Sequence, residues 1–231
     1  MRRFNRSRLT MYRVVTRFTL VTAGLAVGAC GGSGSTDGPA VASSPHLPAG
    51  YALRLDRLNR EPTEFVATQD DGAIHVRTGP SGIIYRPDQV VDSARYTARA
   101  RFTEIDAPIG HREGFGLFIG GQDLEHDGQR YTYFLVRGDG RYLIKRRDGA
   151  STEEITNGWE ASEAVNVSTS ANRSVANELT ITVDGERVRF SCNGEPVADI
   201  ATGDLSTQGL VGVRVNHNLE VRVQGLQVDR R

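Results

Sequence analysis

Residues 94–103 read Ala94-Arg95-Tyr96-Thr97-Ala98-Arg99-Ala100-Arg101-Phe102-Thr103. Successive side chains of an extended strand point to opposite faces. A period of two therefore puts Ala94, Tyr96, Ala98, Ala100 and Phe102 on one face and the arginines and threonines on the other. A helix would scatter both sets around its circumference. The stretch is expected to be a strand with one face on a core and one in water.

Shorter runs of the same kind occupy residues 65–69, 73–78, 114–119, 131–137, 141–146, 178–183, 188–192, 210–215 and 219–228. Turn chemistry falls between them. Asp-Gly stands at 71–72, 127–128, 139–140, 148–149 and 184–185, and Asn-Gly at 157–158 and 193–194. These dipeptides accept positive φ and close tight hairpins. No sustained helical period and no strand–helix alternation accompany them. The pattern predicts an all-β chain, a two-sheet antiparallel jelly-roll sandwich over residues 50–231.

What precedes that domain has another character. The 231 residues carry 28 basic and 28 acidic side chains. Six of the arginines (Arg2, Arg3, Arg6, Arg8, Arg13, Arg17) lie in residues 1–29, which hold no acid. Without that segment, 22 basic residues face 28 acidic ones, a net charge of −6. The balance gives no electrostatic footprint for nucleic acid.

Residues 18–29 form an apolar run after the arginines, too short to span a bilayer and fitting a secretory signal. Met11 is an alternative start that gives a basic region of more usual length. The run ends in Val27-Gly28-Ala29-Cys30, which resembles the lipobox of bacterial lipoproteins. The resemblance implies cleavage before Cys30, acylation of its thiol (palmitate among the chains) and retention on a membrane, whereas a plain secreted protein would be cut without an anchor. Gly31, in place of Asp, would favour the outer membrane in a cell that has two. Residues 30–49 hold the lipidated cysteine and a Gly/Ser/Pro-rich linker. Residues 31–48 reach roughly 20–25 Å as a flexible tether. Cys192 is then left without a disulfide partner and reads as a buried thiol.

The order of hairpins carries a resemblance. Gly114-Phe-Gly-Leu-Phe-Ile119, Tyr131-Thr-Tyr-Phe-Leu-Val-Arg137 and Gly138-Asp-Gly-Arg-Tyr142 are followed by Trp159, Asn177-Glu-Leu-Thr-Ile181, Asn193-Gly194 and Gly209-Leu-Val-Gly-Val213. The succession resembles the concanavalin-A-like lectin/glucanase superfamily, in particular its laminin-G-like and 3-keto-disaccharide-hydrolase-like domains, over roughly residues 60–230. Such domains include carbohydrate binders, enzymes and modules of the cell envelope, so the fold does not fix the function.

Three groups of residues are candidate sites. Glu104-Ile105-Asp106 begins like the acidic strand of the glucanases, but Ala107-Pro108-Ile109-Gly110 follows where a further acid is needed, and Pro108 does not fit a central strand. No catalytic residue is assigned. Asp123, Glu125 and Asp127 alternate in a polar loop and offer oxygen ligands for Ca2+. His75, His111 and His217 show no zinc-ligand spacing. Tyr131, Tyr133, Arg137, Arg141, Tyr142 and Trp159, on neighbouring hairpins, form a candidate aromatic and basic surface for a sugar. The expected function is non-catalytic binding of carbohydrate or another ligand by an envelope lipoprotein. The alternatives are a 3-keto-glycoside hydrolase, which needs acids and a metal converging on a concave sheet, and a structural module of the envelope.

Overall fold

The computed structural model describes residues 47–57, 60, 64–108, 110–169 and 174–231. Cys30, the signal segment and most of the linker lie outside the described residues. Among the described residues fifteen strands form, in chain order. They are β1 (Ala52–Leu55), β2 (Phe65–Asp70), β3 (Ala73–Thr78), β4 (Gly82–Val91), β5 (Arg95–Asp106), β6 (Phe115–Gln122), β7 (Arg130–Arg137) and β8 (Arg141–Asp148). After these come β9 (Ser151–Glu154), β10 (Glu160–Ala161), β11 (Ala176–Asp184), β12 (Arg187–Cys192), β13 (Glu195–Ala201), β14 (Gly209–Val215) and β15 (Glu220–Arg230). The expected antiparallel sandwich is present. Sheet A runs β1-β4-β14-β6-β7-β8-β10 with β9 on β8, and sheet B runs β13-β12-β11-β5-β15-β3-β2.

The alternating stretch from Arg95 onward lies in β5, at the centre of sheet B between β11 and β15, while Ala94 precedes the strand and is exposed, not buried. Tyr96, Ala98, Ala100 and Phe102 are buried as their spacing requires, and Arg95, Arg99 and Arg101 are exposed. β5 continues to Asp106 because Glu104 pairs with Val221 and Asp106 with Glu220. It stops two residues before Pro108.

The turns follow their sequences. Asp71-Gly72 and Asn193-Gly194 both have positive φ at each residue, the geometry that suits the twist of a two-residue hairpin. Asp139-Gly140 differs. Arg137 pairs with Arg141, so Gly138, Asp139 and Gly140 make a three-residue connection in which only Gly140 takes positive φ.

The facing sides of the sheets enclose the main core. Phe134 of sheet A meets Phe190 of sheet B edge-on at 5.5 Å, and Phe115 meets Phe102 at 5.9 Å. Cys192 is fully buried in this core. Its Sγ faces Asn177 Oδ1 at 3.6 Å, and burial pushes the thiol pKa up to about 12. The thiolate is the reactive form. Native protein at neutral pH should therefore leave Cys192 unlabelled by iodoacetamide over hours, while denatured protein labels within minutes. Equal rates in both states would contradict the burial.

Sheet A also carries a second apolar cluster on its outer face: Ile83, Tyr85, Phe118, Leu124, Tyr131, Tyr133 and Leu135. Three aromatic contacts join Tyr85, Phe118, Tyr131 and Tyr133 at 6.3, 5.3 and 5.6 Å. The Phe118 ring lies over Gly212, where a Cβ would sit 2.6 Å from a ring carbon. A flat outer face could not bury such residues. Sheet A is curled. Asp56, directly after β1, lies 3.3 Å from Arg147 on β8, five strand spacings away. In a flat sheet that interval is about 24 Å.

Candidate functional site

The curl concentrates charge. Arg54 on β1 and Arg214 on β14 alternate with apolar neighbours, and Arg147 on β8 pairs with Tyr131, which puts all three on the concave outer face. Their side chains are 8%, 6% and 9% exposed. Arg214 donates from both terminal nitrogens to the Asp56 carboxylate at 2.8 and 2.6 Å, and from Nη1 to the Tyr131 hydroxyl at 3.1 Å. Its guanidinium stands 4.8 Å from the centre of the Tyr133 ring. Arg54 reaches Asp127 of the β6–β7 loop at 3.4 Å. Burial works against ionisation of Asp56. The hydrogen bond and charge of Arg214, with the charges of Arg147 and Arg54, outweigh it and hold the carboxyl below its ordinary pKa. Burial pushes the Tyr133 hydroxyl up to about 12, so it stays a neutral donor and acceptor.

Asp56 also borders an open pocket of about 550 Å³ at the end of the sandwich. The loops after β1, β3 and β14 contribute Arg57, Arg60, Ser81, His217 and Asn218 to its lining. One wall is a chain of polar contacts. His217 Nε2 is 3.2 Å from Glu113 Oε1, Ser81 Oγ is 3.4 Å from His217 Nδ1, and Asn216 Nδ2 donates to Glu113 Oε2 at 2.8 Å. His111 packs its ring edge-on against His217 at 5.7 Å, with its Nε2 2.7 Å from the His217 carbonyl. Two histidines 106 residues apart in sequence are thus neighbours. Among the described residues, no three His, Cys, Asp or Glu side chains gather closely enough to hold a metal ion. This includes Asp123, Glu125 and Asp127, which are exposed around their loop.

The proposed aromatic and basic surface divides. Tyr131, Tyr133 and Arg137 share the concave face, as alternation along β7 requires, but the tyrosines are 1% and 4% exposed and form no open platform. Tyr142 is on the opposite face. It pairs with the inward Val136 and packs against Phe134, and its hydroxyl lies 2.7 Å from Glu160 Oε2 and 3.0 Å from the Val197 carbonyl, sharing one proton between the two acceptors. Arg137, Arg141 and Trp159 form a separate cluster at the end of β7 and β8. Arg137 stacks 4.6 Å from the Trp159 ring centre and binds Asp139 through two nitrogens, and Arg141 donates to the Trp159 carbonyl. Glu104 lines a second pocket of about 550 Å³ with Pro108, His111, Gly138 and Ser168. Asp56, Arg54, Arg147, Arg214 and His217 were not among the sequence candidates. The alternations Leu53-Arg54-Leu55 and Val213-Arg214-Val215 mark two of the arginines as outward, and neither shows that the outer face is closed.

No protein-family model matches the sequence, and no curated protein matches it. Solved structures match the fold. The carbohydrate-binding module CBM66 from Bacillus subtilis superposes with a TM-score of 0.57 at 11% identity, over 78% of this chain and 95% of that one. A Bacillus subtilis protein of unknown function with a galectin-like fold gives 0.53 at 13% identity, over 78% and 90%. The carbohydrate recognition domain of Emp46p, in its metal-free form, gives 0.52 at 10% identity, over 75% and 91%. Likeness at these identities establishes architecture alone, and the described residues accordingly form a galectin-like β-sandwich.

Proposed function

We propose that this protein is an exported, lipid-anchored module that binds carbohydrate without catalysing a reaction. The observation that carries the reading is the polar pocket of about 550 Å³ on the rim of a curled sheet, in a sandwich whose structural neighbours include modules named for carbohydrate binding. Its side chains are donors and acceptors on several loops (Arg57, Arg60, Ser81, His217 and Asn218), as recognition of a polyhydroxylated ring requires. The hydrolase alternative needs acids converging on the concave face. There the described residues bring Asp56 among three arginines, with the exposed Asp127 at the margin. That arrangement favours binding.

The test uses the chain without residues 1–29 and with Cys30→Ser. A glycan array should give saccharide ligands, and His217→Ala should weaken them about tenfold, the loss of one or two good hydrogen bonds. A 3-keto-disaccharide hydrolysis assay should show no turnover. Turnover that His217→Ala abolishes would overturn the non-catalytic reading, and an empty array would overturn the carbohydrate one. The anchor has its own experiment. The full chain should partition with membranes and carry acyl mass at Cys30, and Cys30→Ser should lose both. Two or more acyl chains give stable anchoring. Retention of the Cys30→Ser chain on membranes would overturn it.

A further inference from the structure

The concave face holds more positive charge than it balances. Arg54, Arg147 and Arg214 are each at least nine-tenths buried, yet among the described residues Asp56 is the one carboxylate set between them. Asp127, which meets Arg54, is 93% exposed and belongs to the solvent. In addition, the Nε of all three arginines is buried without a hydrogen-bond partner among the described residues. A buried donor left unpaired is costly, and a buried charge more so. A lysine or histidine could respond by losing its proton, but a guanidinium does not at any physiological pH. Balance must come from an anion.

We infer that the arginine cluster recognises the carboxylate of an acidic sugar, such as a uronate, and that Asp56 occupies the place of that carboxylate when no sugar is bound. This rests on the reading of the adjoining pocket as a carbohydrate site and specifies its ligand class. The placement of Asp56 supports it. The residue lines the pocket on one side and contacts Arg147 and Arg214 on the other. At 24% side-chain exposure it is the most accessible member of the cluster. Rotation of this side chain would open the guanidiniums to the pocket. Arg57 and Arg60 line the same pocket, with Glu64 as the opposing charge. An incoming carboxylate would thus pass from exposed arginines to buried ones.

The cluster is also held ready. The Tyr131 hydroxyl accepts from Arg214 Nη1, the Tyr133 ring underlies the guanidinium, and Arg147 donates to the Gly149 carbonyl. A guanidinium fixed in this way presents two parallel donors, the geometry a carboxylate accepts. A neutral sugar cannot replace Asp56, because it offers the arginines no charge.

Titration calorimetry on the soluble Cys30→Ser chain tests this with three probes: trigalacturonate, its trimethyl ester and xylotriose. Trigalacturonate should bind at least tenfold more tightly than the ester, with affinity falling as salt rises. Arg147→Gln should cost about tenfold, and Asp56→Asn, which removes the internal competitor, should strengthen binding. Circular dichroism establishes that each variant is folded. If Asp56→Asn proves too unstable to titrate, elevation of its melting temperature by trigalacturonate beyond that of the parent chain is the equivalent result. Equal binding of acid and ester, or binding of xylotriose alone, overturns this inference and leaves the carbohydrate reading standing. An unchanged affinity in Arg147→Gln overturns the assignment to the cluster. Failure of all three saccharides to bind the folded chain overturns this inference, and the glycan array then decides the carbohydrate reading.

Discussion

Replacing Asp56 by asparagine should lower the thermal midpoint of the domain by roughly 5–15 °C. The substitution keeps the size and shape of the side chain and removes the charge on which Arg147 and Arg214 converge. Breaking a buried ion pair costs about 3–5 kcal/mol. Asp56 is about a quarter exposed, so solvent screening brings the expectation to about 2–4 kcal/mol. One kcal/mol moves the midpoint of a domain this size by about 2–4 °C. The sign of the pH dependence follows. The carboxyl pKa is lowered in the folded state, so its contribution is complete above the ordinary carboxylate value of about 4. It is lost as pH falls below that value through the depressed folded one. Parent and variant should therefore differ most near neutrality and draw together in acid. Calorimetry between pH 3 and 7 reads both effects. A gap that stays constant across that range would show that the charge of Asp56 is not what the arginines need.

A loss of similar size is expected from Phe134→Ala, for a different reason. Phe134 is fully buried in the inter-sheet core, 5.5 Å from Phe190 and 6.3 Å from Tyr142 between ring centres. Truncation removes aromatic surface that both sheets contact and leaves a cavity that neighbours held by strand pairing cannot fill. Such changes cost about 3–5 kcal/mol. Val90→Ala, at a residue 51% exposed, should cost less than about 0.5 kcal/mol. Urea unfolding should show a lower midpoint for Phe134→Ala with an unchanged slope, because the surface exposed on unfolding is nearly the same. A destabilisation no larger than that of Val90→Ala would mean that the sheets do not meet at Phe134.

Alternation and turn chemistry located most strands whose two faces differ, though not β1 or β13. β5 shows why: each apolar residue from Tyr96 to Phe102 has an exposed polar neighbour. β4 escapes the same reading because its apolar Ile83-Ile84-Tyr85 is buried on both faces, and Pro87 then reads as a break. The chain accommodates Pro87 where pairing with β14 is interrupted, between Tyr85 and Val90, a position that needs no donor from it. The site was harder to see. Parity did carry information: Arg141 pairs with the outward Arg137, so Tyr142 had to face inward. Curvature was not legible. Period two assigns a face to each side chain, but it does not say that sheet A folds its outer face over Tyr131, Tyr133 and three arginines. The ion pair between Asp56 and Arg214 joins residues 158 positions apart. Nothing local to either one announces the other.

The order of strands also has a consequence for how the chain reaches this state. The last strand, β15, lies between β5 and β3 in sheet B, and the one before it, β14, lies between β4 and β6 in sheet A. Each sheet therefore lacks an interior member until residues 209–230 are available. Earlier strands can form hairpins, but neither sheet becomes continuous before residues 209–230 insert. Closure waits on long-range pairing, which is the slow part of folding for β proteins. A ribosome thus handles an unclosed sandwich until residues 209–230 have emerged. Deleting β15 would strip one strand from the middle of sheet B and part the β3–β2 pair from the rest.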